Sequence, residues 1–395
     1  MGNALNVANI PKELSLLLEL VKIENNKDIL KRFNKKEIDW DLFLDLTWHH
    51  RLFPVLYPKL KKIEEQVPPF VLKTLQAKYQ ENTIHMLQLT ATMINISHAL
   101  RNNQIRTLFL KGPLLGLELY GDISLRTSSD LDFLVPLEDL GKVENLLISM
   151  GYVKDDYFQS VLGDWKWRHH HIAFFHQETN TKIEVHWRLN PGPGMEPCFN
   201  ELWERKRTNL ITNSPINLLG KEDLCFFLIT HGARHGWSRL RWLLDIKHLL
   251  DQELNWSVLS KLLKKYHCLH LGGQAIILSS QLLGVSVKKE MESMIRGTRA
   301  QTLAQESIFY LERMVNLHTE PLPDDIARFH KKHLYSLQSF QQKTLYILSI
   351  MYPYPTDLET LPLPKYLHFL YFPLRPFLTV WRITKKSAYS RRAKE

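Results

Sequence analysis

The spacing of the apolar residues changes near Arg106, and this change constrains the fold more than any other feature of the sequence. Before Arg106 the apolar residues recur at helical spacing, as in Leu14, Leu17 and Leu18, and the helical pattern continues to Leu100. After Arg106, short β-prone runs alternate with helical segments. This order predicts an α+β fold in which a small mixed sheet is flanked by N-terminal and C-terminal helical regions.

The alternating stretch gives the order of the elements. It reads RTLFL, LLGLELYGD, DLDFLVP, LEDLGKVENLLISMG, HHHIAFFH and IEVHWRL, which predicts β-α-β-α-β-β with the helices on one face of the sheet. The proline- and glycine-rich segment NPGPGMEP then breaks the pattern. We therefore predict a helical region at 1–105, the sheet core at 106–190, a second helical region at 191–380 and a basic tail at 381–395.

The chain carries an excess of positive charge. Its 395 residues include 51 lysines and arginines against 41 acidic residues, a formal net charge of +10. This balance favours phosphate-bearing ligands, nucleic acid or an anionic membrane surface, without selecting among them. The three cysteines have neither zinc nor disulfide spacing, and the sequence has no cleavable signal and no run of roughly 20 apolar residues. We predict a cytoplasmic protein.

Two acidic residues are predicted to share one face of a strand. In Asp130-Leu131-Asp132 the acids are two positions apart, so both project from one face while Leu131 points into the core. Carboxylates this close repel each other unless a cation lies between them. Hard oxygen ligands of this kind suit Mg²⁺ bound to substrate phosphates. For an isolated pair, the alternative is that one aspartate caps a turn and the other is solvated.

Two further segments can meet the aspartates. Lys111-Gly112 ends a strand and opens a helix, where free backbone N–H groups favour a phosphate, although an ordinary strand-to-helix turn would read the same. In IEVHWRL, Glu184 and His186 share one strand face and apolar residues occupy the other. Glu184 is therefore either a third carboxylate aimed at the same point or a surface residue of an edge strand.

Taken in order, these motifs resemble a known family. The succession KG, YGD, R-x-x-x-DLD and a later strand with E-x-H-W is similar to a bacterial family of uncharacterised nucleotidyltransferases within the DNA polymerase beta-like nucleotidyltransferase superfamily. By this resemblance, Gly112 is the helix-capping glycine, Asp130 and Asp132 are the metal-binding pair, and Glu184 is the third acid.

The resemblance implies a metal-dependent nucleotidyltransferase. Two Mg²⁺ ions held by the three acids would bind a nucleoside triphosphate, which we predict to be ATP. The nucleotidyl group would move to a hydroxyl or phosphate of an unidentified small molecule, peptide or protein, and Glu184 is a candidate to accept the acceptor's proton. Members of this family are often encoded beside biosynthetic enzymes, including those for modified peptides, so the resemblance also implies a pathway of that kind.

The residues next to Gly112 differ from the superfamily pattern at one position. Lys111 and Arg126 are candidates to contact phosphates, as a point charge and a fork respectively, with a solvated lysine and a surface arginine as the alternatives. Many members have serine after the glycine, whereas this chain has Pro113. Lys111 would supply a charge in place of the serine hydroxyl. Pro113 also leaves an alternative function, that of a non-catalytic protein that retains the fold and binds a partner through its helical flanks.

Other residues are predicted to lie on the acceptor side of the cleft. The segment from His231 to Asp245 and that from Leu361 to Pro376 extend the resemblance over most of the chain. We place His186, His231, His235, Arg241 and Asp245 on the acceptor side. The alternative for the last two is an ion pair, because they are four residues apart on a predicted helix.

Three consecutive histidines, His169, His170 and His171, suggest a metal site at first sight. Adjacent strand residues point to opposite faces, so all three cannot easily ligate one ion. We interpret them as a strand edge or a substrate wall.

Two further functions compete with nucleotidyl transfer to a biosynthetic acceptor. An antibiotic adenylyltransferase would need an acidic acceptor pocket, which the basic balance does not favour. A nucleic-acid-binding module would bind with strong salt dependence, and we expect no stable nucleic-acid partner. The aromatic and basic end from Tyr366 to Arg392 offers a surface for an anionic membrane. The simpler interpretation, which we favour, is a docked terminal helix with a solvated tail.

Overall fold

The N-terminal region is helical, as the apolar spacing predicts. The computed structural model describes residues 4–22, 29–33, 35–155, 161–212, 214–319 and 321–392. Its first helices are α1 (Lys12–Lys22), α2 (Ile29–Arg32), α3 (Trp40–His49), α4 (Phe53–Lys61) and α5 (Pro69–Asn102). The last of these has 34 residues, so it is about 51 Å long at 1.5 Å per residue.

Strands and helices alternate in the middle of the chain. They are β1 (Leu108–Phe109), α6 (Pro113–Tyr120), β2 (Asp130–Leu134), α7 (Leu140–Ser149), β3 (Val153–Lys154), α8 (Trp165–Arg168), β4 (His171–His176), β5 (Thr181–His186), α9 (Phe199–Glu204), β6 (Arg207–Ile211) and β7 (Ser214–Leu218). The strands form one sheet in the order β3-β4-β5-β2-β1-β7-β6. Two pairs of neighbours, β2 with β5 and β1 with β7, are parallel, and the others are antiparallel. The predicted α+β class is confirmed.

The sheet extends beyond the predicted core. The hairpin of β6 and β7 lies in the 191–380 segment, which we predicted to be helical, and β7 joins β1 at the pair Phe109 and Leu218. The short edge strand β3 was also not predicted. A core drawn at 106–190 therefore omits two strands of the same sheet.

The C-terminal region returns to helices. They are α10 (Lys221–Arg234), α11 (Leu240–Leu250), α12 (Trp256–Lys265), α13 (Leu269–Leu283), α14 (Glu292–Ile295), α15 (Thr298–Glu312), α16 (Asp324–Leu337), α17 (Phe340–Ile350), α18 (Pro355–Thr360) and α19 (Tyr371–Arg392). The predicted basic tail at 381–395 begins inside α19, which continues to Arg392. None of the helices in the described ranges combines the length and apolarity that crossing a bilayer requires.

One face of the sheet packs on α5 and α7. Leu131, Phe133 and Val185 point to this face and lie in one buried cluster with Met93 of α5 and Val143 of α7. Because strand side chains alternate, the intervening residues of β2 and β5 must point to the other face.

The other face is only partly covered. Leu108, Leu110 and Leu134 lie in a second buried cluster that includes Leu224 and Leu228 of α10. The prediction that helices cover a single face is therefore wrong, because a C-terminal helix packs on the second face as well. The part of this face that α10 leaves open carries the acidic residues.

Candidate active site

The turn from β1 into α6 places a glycine where the sequence predicted it. Gly112 is the residue before α6 and has φ 87° and ψ −153°, a positive φ that residues with a side chain rarely adopt. Pro113 follows as the first helical residue, so this position offers no backbone N–H. The helix N-terminus is present, without the backbone N–H and the hydroxyl that a serine in this place would supply.

The three predicted acids converge on the open face of the sheet. In the parallel pair of β2 and β5, Asp132 lies beside Glu184, and Asp130 lies beside Lys182. The alternation that buries Leu131 points both aspartates and Glu184 to the same side. The structure thus brings together residues that are more than fifty positions apart in the sequence.

Helix α5 holds the loop that leads into β2. Asn82 donates from Nδ2 to the carbonyl oxygen of Ser124 at 2.8 Å. His85 lies with Nε2 2.9 Å from the carbonyl oxygen of Ser128. These contacts fix the start of β2 from outside the sheet, so the N-terminal helical region contributes to the position of Asp130.

Asp132 is the most enclosed of the three acids, with 1% of its surface exposed. Its Oδ1 lies 3.2 Å from Nε2 of His186 and 3.6 Å from Nζ of Lys111. Burial opposes ionisation, but the charge of Lys111 and the hydrogen bond from His186 outweigh it and lower the pKa of Asp132. Its Oδ2 is buried and has no hydrogen-bond partner among the described residues, which leaves a carboxylate oxygen for a cation to satisfy.

Asp130 and Glu184 differ in how their charge is compensated. Burial and the charges of Asp132 and Glu184 raise the pKa of Asp130 to about 6. Burial also opposes ionisation of Glu184, but His186, His171 and Lys182 outweigh it and hold the pKa of Glu184 far below its usual value. Oε1 of Glu184 accepts from Nζ of Lys182 at 2.7 Å. The repulsion among the three carboxylates is therefore least compensated at Asp130.

Two overlapping sets of side chains could hold a metal ion. Asp132, Glu184 and His186 each offer one ligand atom, and these atoms lie within 4.8 Å of one another. His170, His171 and His186 form a second set of the same dimension. The first set, with Asp130 beside it, has the oxygen-rich composition that Mg²⁺ prefers, whereas an imidazole set suits Zn²⁺ or another transition metal.

The histidine triple differs in part from its sequence interpretation. His170 precedes the first residue of β4, so the alternation of strand side chains does not govern it. Its Nε2 lies 3.1 Å from Nδ1 of His171, and both rings contact the ring of His186. Burial lowers the pKa of His170. Burial and the charge of His186 lower the pKa of His171 to about 4. Two neighbouring histidines thus form one wall of the site, as neutral rings.

Arg126 and Asp245 form a buried pair. The guanidinium of Arg126 donates from Nε and Nη2 to the two carboxylate oxygens of Asp245 at 3.0 and 2.9 Å. Tyr120 donates from its hydroxyl to the same carboxylate at 2.7 Å. Arg126 is 2% exposed, so the alternative of a surface arginine is wrong. The alternative pairing of Asp245 with Arg241 is also wrong, because Asp245 is bonded by Arg126 and Tyr120.

A cavity of about 1330 Å³ lies in front of the acids. Its lining includes most of the predicted site, namely Lys111, Arg126, Asp130, Glu184, His186, His231 and Arg241. His170, His171 and His235, which the sequence also singled out, line it too, whereas Arg51, Lys182, Arg234 and Arg239 were missed. Lys182 lies on β5 and the three arginines lie in a turn or at a helix end, and only the HGARH and WSRLR segments, which fall in the stretch resembling the family, gave a signal, for Arg234 and Arg239.

Comparison with known proteins gives one finding. The model of a protein family described as uncharacterised nucleotidyltransferase matches residues 36–284. The matched range contains all the strands of the sheet and the helices from α3 to α13. The comparison with curated proteins gave no match.

Proposed function

Since the chain belongs to the family of uncharacterised nucleotidyltransferases, we propose that it is a metal-dependent enzyme that transfers a nucleotidyl group from ATP to an acceptor. The observation that carries this proposal is the convergence of Asp130, Asp132 and Glu184 on one sheet face, with Oδ2 of Asp132 buried and unbonded. Three carboxylates in one enclosed place repel one another unless one of them is protonated or a cation lies between them.

The acids fit two Mg²⁺ ions bound with the triphosphate. Asp130 and Asp132 would hold both ions, and Glu184 would ligate the catalytic one. When bound, the ions would neutralise the triphosphate and stabilise the attacking and leaving oxygens. Lys111, 3.6 Å from Asp132, and the N-terminus of α6 behind Gly112 would contact the phosphates. Arg126, bonded to Asp245, would support this side of the cavity from within the core.

The transfer step has a defined balance. An acceptor oxygen attacks the α-phosphorus and forms a new P–O bond, while the bond from the α-phosphorus to the bridging oxygen breaks and pyrophosphate leaves. Glu184 faces the cavity and is the proposed acceptor of the proton from the attacking hydroxyl. His186 would position Glu184 and Asp132, because its Nε2 lies 3.6 and 3.2 Å from their carboxylates.

The charges around the cavity bear on the acceptor. Arg51, Arg234, Arg239 and Arg241 line it. An aminocyclitol antibiotic is a polycation and would be repelled by these residues. The cavity thus favours a biosynthetic acceptor, a small molecule, peptide or protein, over an antibiotic.

A labelled-triphosphate experiment tests the reaction type. The protein is incubated with Mg²⁺, a cell extract as the source of acceptors, and ATP labelled on either the α- or the γ-phosphorus. Nucleotidyl transfer predicts that α-label enters a product and γ-label leaves as pyrophosphate. The Asp132→Asn variant should lose the product and the Glu81→Gln variant, altered at another acid that lines the cavity, should keep it. A product that retains γ-label, or equal activity in Asp132→Asn, would contradict the proposal.

A further inference from the structure

Three arginines form a positively charged group on the cavity wall. Arg51 follows α3, Arg239 precedes α11 and Arg241 lies in its first turn, and all three line the cavity. We call them the arginine wall. They come from the helical regions, whereas the acids come from the sheet.

The contacts of the arginine wall include no acid. Arg239 donates to the carbonyl oxygen of His49 and, at 3.1 Å, to Oδ1 of Asn316. Arg241 donates to the carbonyl oxygen and, at 2.7 Å, to the hydroxyl of Thr127. Within the described part of the chain, no carboxylate lies within 4.0 Å of any of the three guanidinium groups.

Without a bound anion, burial of Arg239 and Arg241 destabilises the folded protein. Nε of Arg241 is buried and has no hydrogen-bond partner among the described residues. Burial lowers the pKa of Arg241 to about 10, and burial together with the charge of Arg51 lowers that of Arg239 to about 10. Buried cations are normally paired, and Arg126 nearby shows the usual solution, with Asp245 as its partner. Neutral oxygens hold the arginine wall in place, and the charge of Asp245 that reaches Arg241 is opposed by the charge of Arg126.

The triphosphate does not account for the arginine wall. Lys111 and Lys182 lie on the acid side of the cavity, 3.6 Å from Asp132 and 2.7 Å from Glu184. Arg234 lines the same cavity, and the charge of Glu184 acts on it. These three cations supply the positive charge that three acids, a triphosphate and two Mg²⁺ ions leave unbalanced. The charge acting on Arg239 comes instead from Arg51.

From this geometry we infer that the acceptor substrate carries an anionic oxygen group, a phosphate monoester or a carboxylate, which the arginine wall binds while the acceptor's hydroxyl or phosphate oxygen faces the acids. This inference rests on the proposed function and adds the class of acceptor to it. Guanidinium groups bind both kinds of anion through paired N–H donors. A cavity of about 1330 Å³ has room for a nucleotide and a second substrate.

The test measures anion binding with the nucleotide side already filled. The protein is saturated with Mg²⁺ and a non-hydrolysable ATP analogue, and inorganic phosphate or acetate is then titrated at constant ionic strength while the thermal unfolding midpoint is recorded. We expect the anion to raise the midpoint further in the wild-type protein. The variants Arg239→Gln and Arg51→Gln should bind it about tenfold more weakly, with the nucleotide-induced shift unchanged.

The control is Lys78→Gln, which removes a cavity-lining cation that already has Glu81 as its partner at 2.6 Å. This control also corrects for the general stabilisation of folded proteins by phosphate. Arg51 is exposed and its side chain has no hydrogen bond among the described residues, so Arg51→Gln should fold even if another variant does not. A response to phosphate but not acetate identifies a phosphate monoester, and the reverse a carboxylate.

Two results would overturn the inference. One is that neither anion binds more tightly to the wild-type protein than to the Arg51 and Arg239 variants. The other is that these variants lose the nucleotide shift in the same proportion, which would place the triphosphate on the arginine wall. A wild-type protein that shows no nucleotide shift refutes the proposed function instead, and the anion titration without nucleotide still reports on the arginine wall.

Discussion

At the scale of single residues, the repulsion among the three acids falls mainly on Asp130. Asp132 has Lys111 and His186 beside it, and Glu184 has Lys182 and His186. Asp130 lacks such a neighbour at ion-pair distance among the described residues, and its pKa is raised to about 6. Metal binding at this site must therefore displace a proton from Asp130 under mildly acidic conditions.

The first prediction follows from that pKa. Because the folded-state pKa of Asp130 lies above the unfolded value of 3.8, its contribution to stability is fully present below about pH 4 and is lost as the pH rises through about 6. Without metal, Asp130→Asn should therefore gain stability relative to the wild-type protein over this range, by about 1 °C in unfolding midpoint for each 1 kcal/mol of difference in the free energy of unfolding.

Thermal unfolding of both proteins in a chelator, from pH 4 to pH 8, measures this difference. Adding Mg²⁺ and ATP at pH 7.5 should reverse it in favour of the wild-type protein. A difference that is constant with pH would show that Asp130 is not under electrostatic stress.

The buried pair of Arg126 and Asp245 gives a second prediction. Removing one partner leaves the other charge uncompensated in the core, so Arg126→Met should destabilise the protein by about 3–5 kcal/mol. Replacing both residues, as in Arg126→Met with Asp245→Leu, should restore a large part of that loss. Denaturant unfolding of the single and double variants measures the two effects, and equal losses in both would show that the pair is not coupled.

Local reasoning from the sequence succeeded where a short-range rule was sufficient. The positions of Asp130, Asp132 and Glu184 follow from the period of two in a strand. The partner of Asp245 could not be found in this way, because Arg126 is 119 residues away and no local pattern connects them. The rule also failed at His170, since it applies only inside the strand and β4 begins at His171.

At the scale of elements, the N-terminus of α6 decides how the triphosphate is held. Gly112 allows close approach, but Pro113 removes one N–H donor from the first turn. Lys111 beside this turn supplies a charge without the directed donors of a serine.

A third prediction tests whether the missing donors at position 113 weaken nucleotide binding. Pro113→Ser should bind Mg²⁺-ATP about tenfold more tightly, because the new N–H and hydroxyl both donate to a charged phosphate. Pro113→Ala restores only the N–H and should show a smaller gain. Equilibrium titration with a fluorescent ATP analogue measures both, and unchanged affinity in Pro113→Ser would show that the phosphates do not lie at this helix.

The hairpin of β6 and β7 shows why the extent of the sheet was underestimated. Pro215 lies within β7, and a proline in a strand argues against a central position because it lacks an N–H. Here β1 is so short that it pairs with β7 only at Leu218, so β1 needs no donor from Pro215. Pro215 is tolerated in this strand because β1 is short, and the sequence alone does not give the length of β1, which depends on the tertiary structure.

At the scale of the whole molecule, the cavity requires all three regions. The sheet supplies the acids, the N-terminal helices supply Arg51 and the contacts that fix the loop before β2, and the C-terminal helices supply Arg234, Arg239 and Arg241. The sequence predicted these regions, but it could not predict their mutual packing, since the contacts join residues with no shared local pattern.

The C-terminal helix carries the fourth prediction. Arg375 and Arg382 of α19 both bond Asp357 of α18, which supports a docked helix, while Phe377 and Trp381 remain 73% and 57% exposed. Contact of this end with an anionic membrane stays a prediction. Vesicles with anionic lipid should bind the protein and neutral vesicles should not.

Sedimentation with vesicles measures this binding. The double change Phe377→Ser and Trp381→Ser should weaken it about tenfold, since each exposed ring would otherwise bury apolar surface. The unfolding midpoint of the double variant is the control for its folding. Equal binding of both proteins would exclude this surface.

The most direct test of the account is thermal unfolding with each of ATP, GTP, CTP and UTP, with and without Mg²⁺, for the wild-type, Asp132→Asn and Glu81→Gln proteins. A ligand at a hundred times its dissociation constant stabilises the native state by about 2.7 kcal/mol, which is a measurable shift in midpoint. The account predicts a shift with ATP that requires Mg²⁺, disappears in Asp132→Asn and persists in Glu81→Gln. A shift that is the same in Asp132→Asn, or the absence of a shift with every nucleotide, would contradict it.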